Sequence, residues 1–242
     1  MKTNEHSERP LYDIDTRRGV MRWLYRQTLF LFVLAMLLFY SAGTLDWPLG
    51  WLEVCLYTFI TIVQAVILIP RLPDLLVERS RAQEGTKEWD TLLVSLAATI
   101  FPMIVWVVAG LNARFGWKPP MPPWLVVAGV IAWLLGYALL IWCMLSNRFF
   151  SATVRIQTER GHQVVSDGPY AIVRHPGYVG AIVFQVATPF LLGSWWALIP
   201  GLLSALSYGV RTAFEDRTLQ EELDGYRQYA ARVRYRLIPG IW

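Results

Sequence analysis

Four charge-poor apolar runs, Thr28 to Leu45, Trp51 to Ile69, Leu92 to Leu111 and Trp124 to Ser146, decide what this chain can fold into. Each approaches the ~20 residues that an α-helix needs to cross a hydrocarbon core. In lipid every backbone N–H and C=O must be paired within the protein, which leaves helices or closed barrels. No alternation of period two marks strands, so the expectation is all-α: a polytopic transmembrane helical bundle. Composition agrees, since 55% hydrophobic residues, 17% charged ones and a mean hydropathy of +0.38 are too apolar for a soluble domain.

Tyr178 to Val210 is a charge-free run of 33 residues. As one helix it would be about 50 Å long, more than an ordinary bilayer core accepts. It is expected to break at Leu192-Gly193-Ser194, with Pro189 before and Trp195-Trp196 after, into a hairpin of two short arms. The expected organisation is therefore a polar arm over residues 1–26, four spanning helices over 27–146, and a polar region over 147–242 that contains the hairpin 178–210.

Charge distribution orients these elements. The net charge of +4 comes from basic residues clustered beside the spans, the pattern of membrane topology, so nucleic acid is not expected as a partner. The turn from Asp46 to Gly50 has no Lys or Arg, whereas the connection from Arg71 to Asp90 carries Arg71, Arg79, Arg81 and Lys87. That asymmetry puts the N-terminus, Asn147 to Gly177 and the C-terminus on the cytoplasmic side. The stretch Asn4 to Thr16 reads as a loose or surface-lying arm, and the polar first 26 residues are expected to hold no cleavable signal. Cys55 and Cys143 fall inside spans as packing residues, with neither a disulfide nor a metal site indicated. Gln64 and Gln185, the main deep polar residues, suit interhelical hydrogen bonds.

Three polar segments could carry chemistry. The first, HQVVSDGPYAIVRHPGYVG from His162 to Gly180, turns at Gly168-Pro169 and enters the hairpin through Arg174-His175-Pro176. Pro176 suits a first helical turn, and the free amides after it could receive an anionic group beside Arg174 or His175; His175 could equally be only the helix cap. In the second, Arg211 to Gly225, a helical reading puts Arg217, Glu221 and Asp224 on one face and Arg211 with Glu215 on a neighbouring one. The third, Tyr226 to Trp242, is basic and aromatic, and lying against anionic lipid would account for it.

In order, His162-Gln163-Val164-Val165, the GPYAIVRHPGYVG stretch from Gly168 to Gly180, DRTLQEEL from Asp216 to Leu223 and the YRLIPG ending resemble the isoprenylcysteine carboxyl methyltransferase family, integral membrane enzymes related to phospholipid N-methyltransferases. The likeness covers roughly residues 150–242. It implies an S-adenosyl-L-methionine site formed by Gln157, His162, Gln163, Val164, Val165, Tyr170, His175, Pro176, Gly177, Tyr178 and Glu221. It also implies an acceptor-side role for Arg217, whose guanidinium suits a carboxylate. The implied acceptor is a lipophilic or small molecule, foremost the carboxylate of an isoprenylcysteine-like substrate, reached from membrane lipid. Such a transfer needs alignment and little water rather than a base; an amine or thiol acceptor would call on His175 or His162.

Two other classes compete. A membrane reductase of the sterol type, using a nicotinamide cofactor, shares a histidine-proline turn and a closing aromatic tail; the Glu221-Glu222 pair and the DRT triplet favour the methyltransferase. A scaffold or transport component would be expected to show a repeated half or ionisable groups deep in its spans.

Overall fold

A computed structural model of the protein describes residues 13–80 and 85–242. All regular structure among them is helical. Residues 1–12 of the expected arm, and Arg81 in the second connection, lie outside the described residues.

Helix α1 spans Ile14–Ala42, so the polar residues from Ile14 onward are its first turns rather than part of a loose arm. It ends where Gly43 adopts φ 68°, the left-handed conformation that costs glycine least. Helix α2, Pro48–Arg71, opens on a proline whose missing N–H is not needed there. After it comes α3, Pro73–Ser80, which is too short to cross anything and packs against α1.

The third crossing runs over Glu88–Phe115 and is interrupted. Helix α4, Glu88–Ser95, passes through a π-helical turn at Leu96–Ile100 into α5, Phe101–Phe115. In that turn the Phe101 N–H reaches back to Leu96 O, and Pro102 has no N–H to offer the next carbonyl. The freed Ala97 carbonyl accepts from Ser204 Oγ at 2.7 Å and Gln185 Nε2 at 3.3 Å. A local break in one helix thus becomes the joint to two others.

Helix α6, Pro123–Ser146, follows the proline-rich connection and packs closely on α7, Pro176–Leu191. Glycines permit the approach: a Cβ on Gly136 would lie 2.8 Å from Gly180 O, and one on Gly129 would lie 2.7 Å from Leu191 N. The expected break is present, with Gly193 at φ 69° and Ser194 N–H bonded to Pro189 O at 2.9 Å. The second arm differs from expectation. Helix α8 runs unbroken over Leu198–Glu222, because its one proline, Pro200, falls in the first turn and no left-handed residue follows, and so joins the hairpin to the polar DRT segment. A last helix, α9, covers Tyr226–Arg232.

Four helical stretches are long and apolar enough to cross a membrane, and large side chains such as Phe32, Phe59, Leu135 and Leu206 face outward from the bundle. This is a multi-pass membrane protein. Inside, Phe30, Tyr57, Trp106, Trp133, Tyr137 and Phe184 form an aromatic core, edge-to-face around Tyr57 and tilted where Tyr137 meets Phe184, with Tyr57 and Trp133 centroids 5.0 Å apart. Cys143 is buried as a packing residue, whereas Cys55 faces outward. Gln185 makes its interhelical bond; Gln64 instead lines a cavity. Glu53, inside the second apolar run, is an ionisable group that hydropathy alone passes over, and it is wholly buried with neither carboxyl oxygen hydrogen-bonded.

Candidate functional site

Between α6 and α7 the chain runs from Asn147 to His175 with only two short 3-10 turns, Thr158–Arg160 and Gly168–Ala171. Side chains hold it in place. Gln157 is buried; its Nε2 donates to Phe149 O at 2.7 Å and its Oε1 accepts from Arg160 Nη1 at 2.5 Å. The Gln157 backbone N–H donates to His162 Nδ1 at 3.3 Å, which assigns the proton of the neutral ring to Nε2. Burial, with Arg160 and Arg155 nearby, pushes the His162 imidazole down to about 4. It is therefore a neutral ring at physiological pH, lying against Phe149 at 4.7 Å between centroids.

The RHP strip is fastened from behind by a buried carboxylate. Asp216, on α8, receives both arms of Arg174 at 2.7 and 3.0 Å, Arg236 Nε at 2.9 Å, Gln220 Nε2 at 2.8 Å and Tyr226 Oη at 3.1 Å. His175 Nε2 lies 3.2 Å from it. Burial opposes ionisation of Asp216, but the bonds from His175, Arg236 and Arg174 outweigh burial and hold its carboxyl well below the usual carboxylate range. Arg174 is thus committed to the scaffold and not to a ligand. The tail also belongs to that scaffold: the Arg174 and His175 N–H groups donate to the Tyr235 and Arg236 carbonyls at 2.9 and 3.0 Å, and Tyr229 Oη donates to Tyr170 O at 2.7 Å. A purely lipid-lying tail would not be hydrogen-bonded to the turn in this way.

These fastenings enclose a polar cavity of about 830 Å³, counting its open mouth. Nine residues of the expected set line it: Gln157, His162, Gln163, Val164, Val165, Tyr170, His175, Gly177 and Tyr178. Pro176 is buried at the first turn of α7 and serves the helix start. His175 is the residue before that helix, but its side chain makes no capping bond and turns instead to Asp216.

Arg217 and Glu221 are not brought into this cavity. They face solvent and pair with each other at 2.8 Å, one turn apart. The reason is helical phase: the cavity-facing stripe of α8 is Arg211, Glu215 and Leu219, spaced by four, with Leu223 just past the helix end, and Arg217 lies about 200° around the helix from Glu215. Asp224 falls beyond the helix end, and Glu222 pairs with Lys87 at 2.7 Å.

Glu215 and Arg211, neither of them in the expected set, supply the charges on this wall. Glu215 accepts the Tyr178 hydroxyl and lies 4.0 Å from His175 Nδ1. Arg211 packs over the Tyr178 ring at 5.2 Å and makes a two-armed pair with buried Asp90 at 2.6 and 3.0 Å. Asp90 also accepts the Val154 N–H at 2.7 Å, tying α4 to the irregular segment. Their equal spacing with Leu219 could have revealed the stripe; the Asp90 partner, 121 residues away, has no local signal.

A second, largely apolar cavity of about 1290 Å³, again counting open space, lies among α1, α2, α6, α7 and α8. Its walls include Trp23, Phe30, Tyr57, Leu68, Tyr137, Met144 and Phe184. The two cavities share Phe150, Ser151, Gly177, Tyr178 and Arg211. Glycine lets that wall close as it does, since a Cβ on Gly177 would lie 2.6 Å from Phe150 Cε2 and the ring would have to shift. A polar chamber and a lipid-like chamber therefore meet across one layer of side chains.

Comparison with known proteins bears on this region. Residues 128–221 match the isoprenylcysteine carboxyl methyltransferase (ICMT) family. The protein-S-isoprenylcysteine O-methyltransferase of Schizosaccharomyces pombe is 35% identical over 90 residues, 36% of this chain and 38% of that protein. That of Rattus norvegicus is 29% identical over 147 residues, 57% of this chain and 50% of that protein. A Delta(14)-sterol reductase of Mus musculus is 30% identical over 98 residues, 36% of this chain and 22% of that protein. The chain thus spans half the length of these relatives or less. The matched stretch contains α7, the RHP strip, and the Arg211 and Glu215 stripe of α8, so the likeness to the isoprenylcysteine carboxyl methyltransferase family falls on the elements that wall the polar cavity.

Proposed function

We propose that the protein transfers a methyl group from S-adenosyl-L-methionine in the polar cavity to a lipophilic acceptor in the apolar cavity, most specifically to the carboxylate of an isoprenylcysteine-like substrate. The observation that carries this reading is the shared wall at Gly177, Tyr178 and Arg211. A water-soluble donor and a lipid acceptor need separate chambers that touch at one place, and few other reactions do.

The chemistry of the polar lining suits the donor. Glu215 offers a carboxylate to a positively charged group, and Val164, Leu219, Leu223, Tyr226 and Tyr229 offer an apolar, aromatic end for a purine. When bound, the cofactor supplies an electrophilic methyl on a sulfonium. The chain's own part is to orient and to exclude water. Tyr178, fixed by Glu215 and stacked on Arg211, forms the partition, and His175 and His162 stand beside it with no proton to move if the acceptor is a carboxylate. An O–CH₃ bond forms as the S–CH₃ bond breaks, and opposite charges vanish together, which a site with little water favours.

The acceptor-side guanidinium is read here among the arginines that line the apolar cavity rather than at solvent-facing Arg217. The catalytic region is read as residues 147–242 together with Asp90 of α4, with the N-terminus, this region and the C-terminus cytoplasmic, as the basic connections support. A second reading, a membrane reductase using a nicotinamide cofactor, has the likeness to the sterol reductase behind it.

The test is a radiolabelled methyl-transfer assay of purified protein against prenylcysteine analogues, phosphatidylethanolamine and simple thiols, with calorimetry of S-adenosyl-L-methionine against NADPH. Label in a prenylcysteine ester and heat only with the methyl donor are expected. Heat with NADPH alone would move the assignment to the reductase.

A further inference from the structure

The apolar cavity is lined by two charged side chains, Arg211 and Arg79. Arg211 is neutralised by the two-armed bond to Asp90. Arg79, at the end of α3, is not. Its guanidinium reaches only Phe150 O at 3.5 Å, the outer limit of a hydrogen bond, and lies 5.5 Å from the Phe150 ring centroid. Its neighbour Glu78 turns the other way, to Arg155 on the polar cavity, at 2.5 Å. Among the described residues no carboxylate pairs with Arg79.

A guanidinium carries five N–H donors, and most of these have no acceptor among the described residues. Among the described residues the cavity therefore holds one positive charge with no carboxylate beside it, set among aromatic and aliphatic walls, an arrangement that is costly unless an anion completes it. Phe150, the residue Arg79 touches, belongs to the wall shared by both cavities, so an anion held by Arg79 sits beside the place of transfer. Arg79 also lies outside the matched stretch, residues 128–221.

We propose that Arg79 is a specificity-determining residue that binds the anionic head of the acceptor, so that the cavity selects an apolar chain ending in a carboxylate over the same chain ending in a neutral amide. The inference rests on the methyltransferase reading for its substrate but not for its test. In that state the two guanidiniums share the load unequally: Arg211 keeps Asp90, and Arg79 takes the acceptor's charge through its free donors.

The test uses full-length protein in phosphatidylcholine nanodiscs, which bring no anionic lipid. Two probes are compared, S-farnesyl-N-acetylcysteine and its neutral carboxamide. Wild type is expected to bind the acid about 10–100-fold more tightly than the amide, the range of a charge-assisted pair out of water. Arg79→Gln should bring that ratio close to one while leaving S-adenosyl-L-methionine affinity unchanged. Arg79→Lys, which keeps the charge and loses the fork, should retain a several-fold preference, so a loss confined to the glutamine variant is not misfolding. A wild-type preference that survives Arg79→Gln, or no preference in wild type, overturns the inference. So does stabilisation of wild type, and not of Arg79→Gln, by phosphatidylglycerol with no difference between the probes, since the guanidinium would then serve lipid. An acid preference that depends on Arg79 in a protein that transfers no methyl upholds the inference and sinks the reaction assigned above.

Discussion

Replacing Asp216 with Asn tests whether one buried carboxylate holds the site together. The change is nearly isosteric, so whatever follows comes from charge and hydrogen bonding. Six polar contacts converge on the two carboxylate oxygens, from Arg174 twice, His175, Arg236, Gln220 and Tyr226. An asparagine keeps one acceptor oxygen and turns an amide donor toward groups that are donors themselves. Arg174, itself buried, would lose its counter-ion, while Arg236 is one-third exposed and would be partly screened by water. Breaking a buried ion pair from one side costs about 3–5 kcal/mol. For a chain of this size, roughly 2–4 °C of melting temperature per kcal/mol gives a drop of roughly 6–20 °C. The assay is tryptophan fluorescence melting of detergent-solubilised protein, with Arg217→Gln as the control, whose exposed ion pair should leave the melt unchanged. If Asp216→Asn melted with wild type, the hub would carry no stability and the account of how the RHP strip is fastened would be wrong.

Removing the charge of Glu215 with Gln should weaken S-adenosyl-L-methionine binding by about tenfold, read by calorimetry, because a charge-assisted contact becomes a neutral one; unchanged affinity would take Glu215 out of the donor site. Gly177→Ala places a methyl 2.6 Å from Phe150 Cε2, so the shared wall must shift. Turnover is expected to fall on the order of 10–100-fold with cofactor affinity kept, and a loss of both together would speak for general unfolding. The His162 ring has its folded value depressed from 6.5 to about 4, so the folded state binds fewer protons across that interval. Its contribution to stability is therefore present above pH 6.5 and lost as pH falls toward 4. His162→Gln should flatten that part of a melting-temperature profile, and an identical slope in the variant would remove the residue from the account.

Much of the fold is legible because lipid leaves few choices. Apolar runs of bilayer length have to be helices, and a charge-free run too long for one crossing has to turn, as it does at Gly193. What stays hidden follows from register and distance. Arg217 and Glu221 are noticeable in the sequence because they are charged and well spaced, yet the phase of α8 sends them to solvent and turns Glu215 inward. The tail reads as lipid-lying because composition carries no record of the carbonyls it lends to Arg174 and His175. The π turn at Leu96–Ile100 has only Pro102 to announce it.

By itself, then, the sequence determined the class of fold, the crossings, the hairpin and the polar segments that belong together, since each follows from hydropathy, proline and glycine acting within about twenty neighbouring residues. Tertiary structure alone decided which side chains face each other: Asp90 with Arg211 across 121 residues, Arg174 with Asp216 across 42, and Arg79, with no carboxylate partner among the described residues, with Phe150 at the head of an apolar chamber. Those meetings depend on how helices are rotated and packed against one another. That rotation is set by the sum of many contacts, and no short stretch of the chain encodes it.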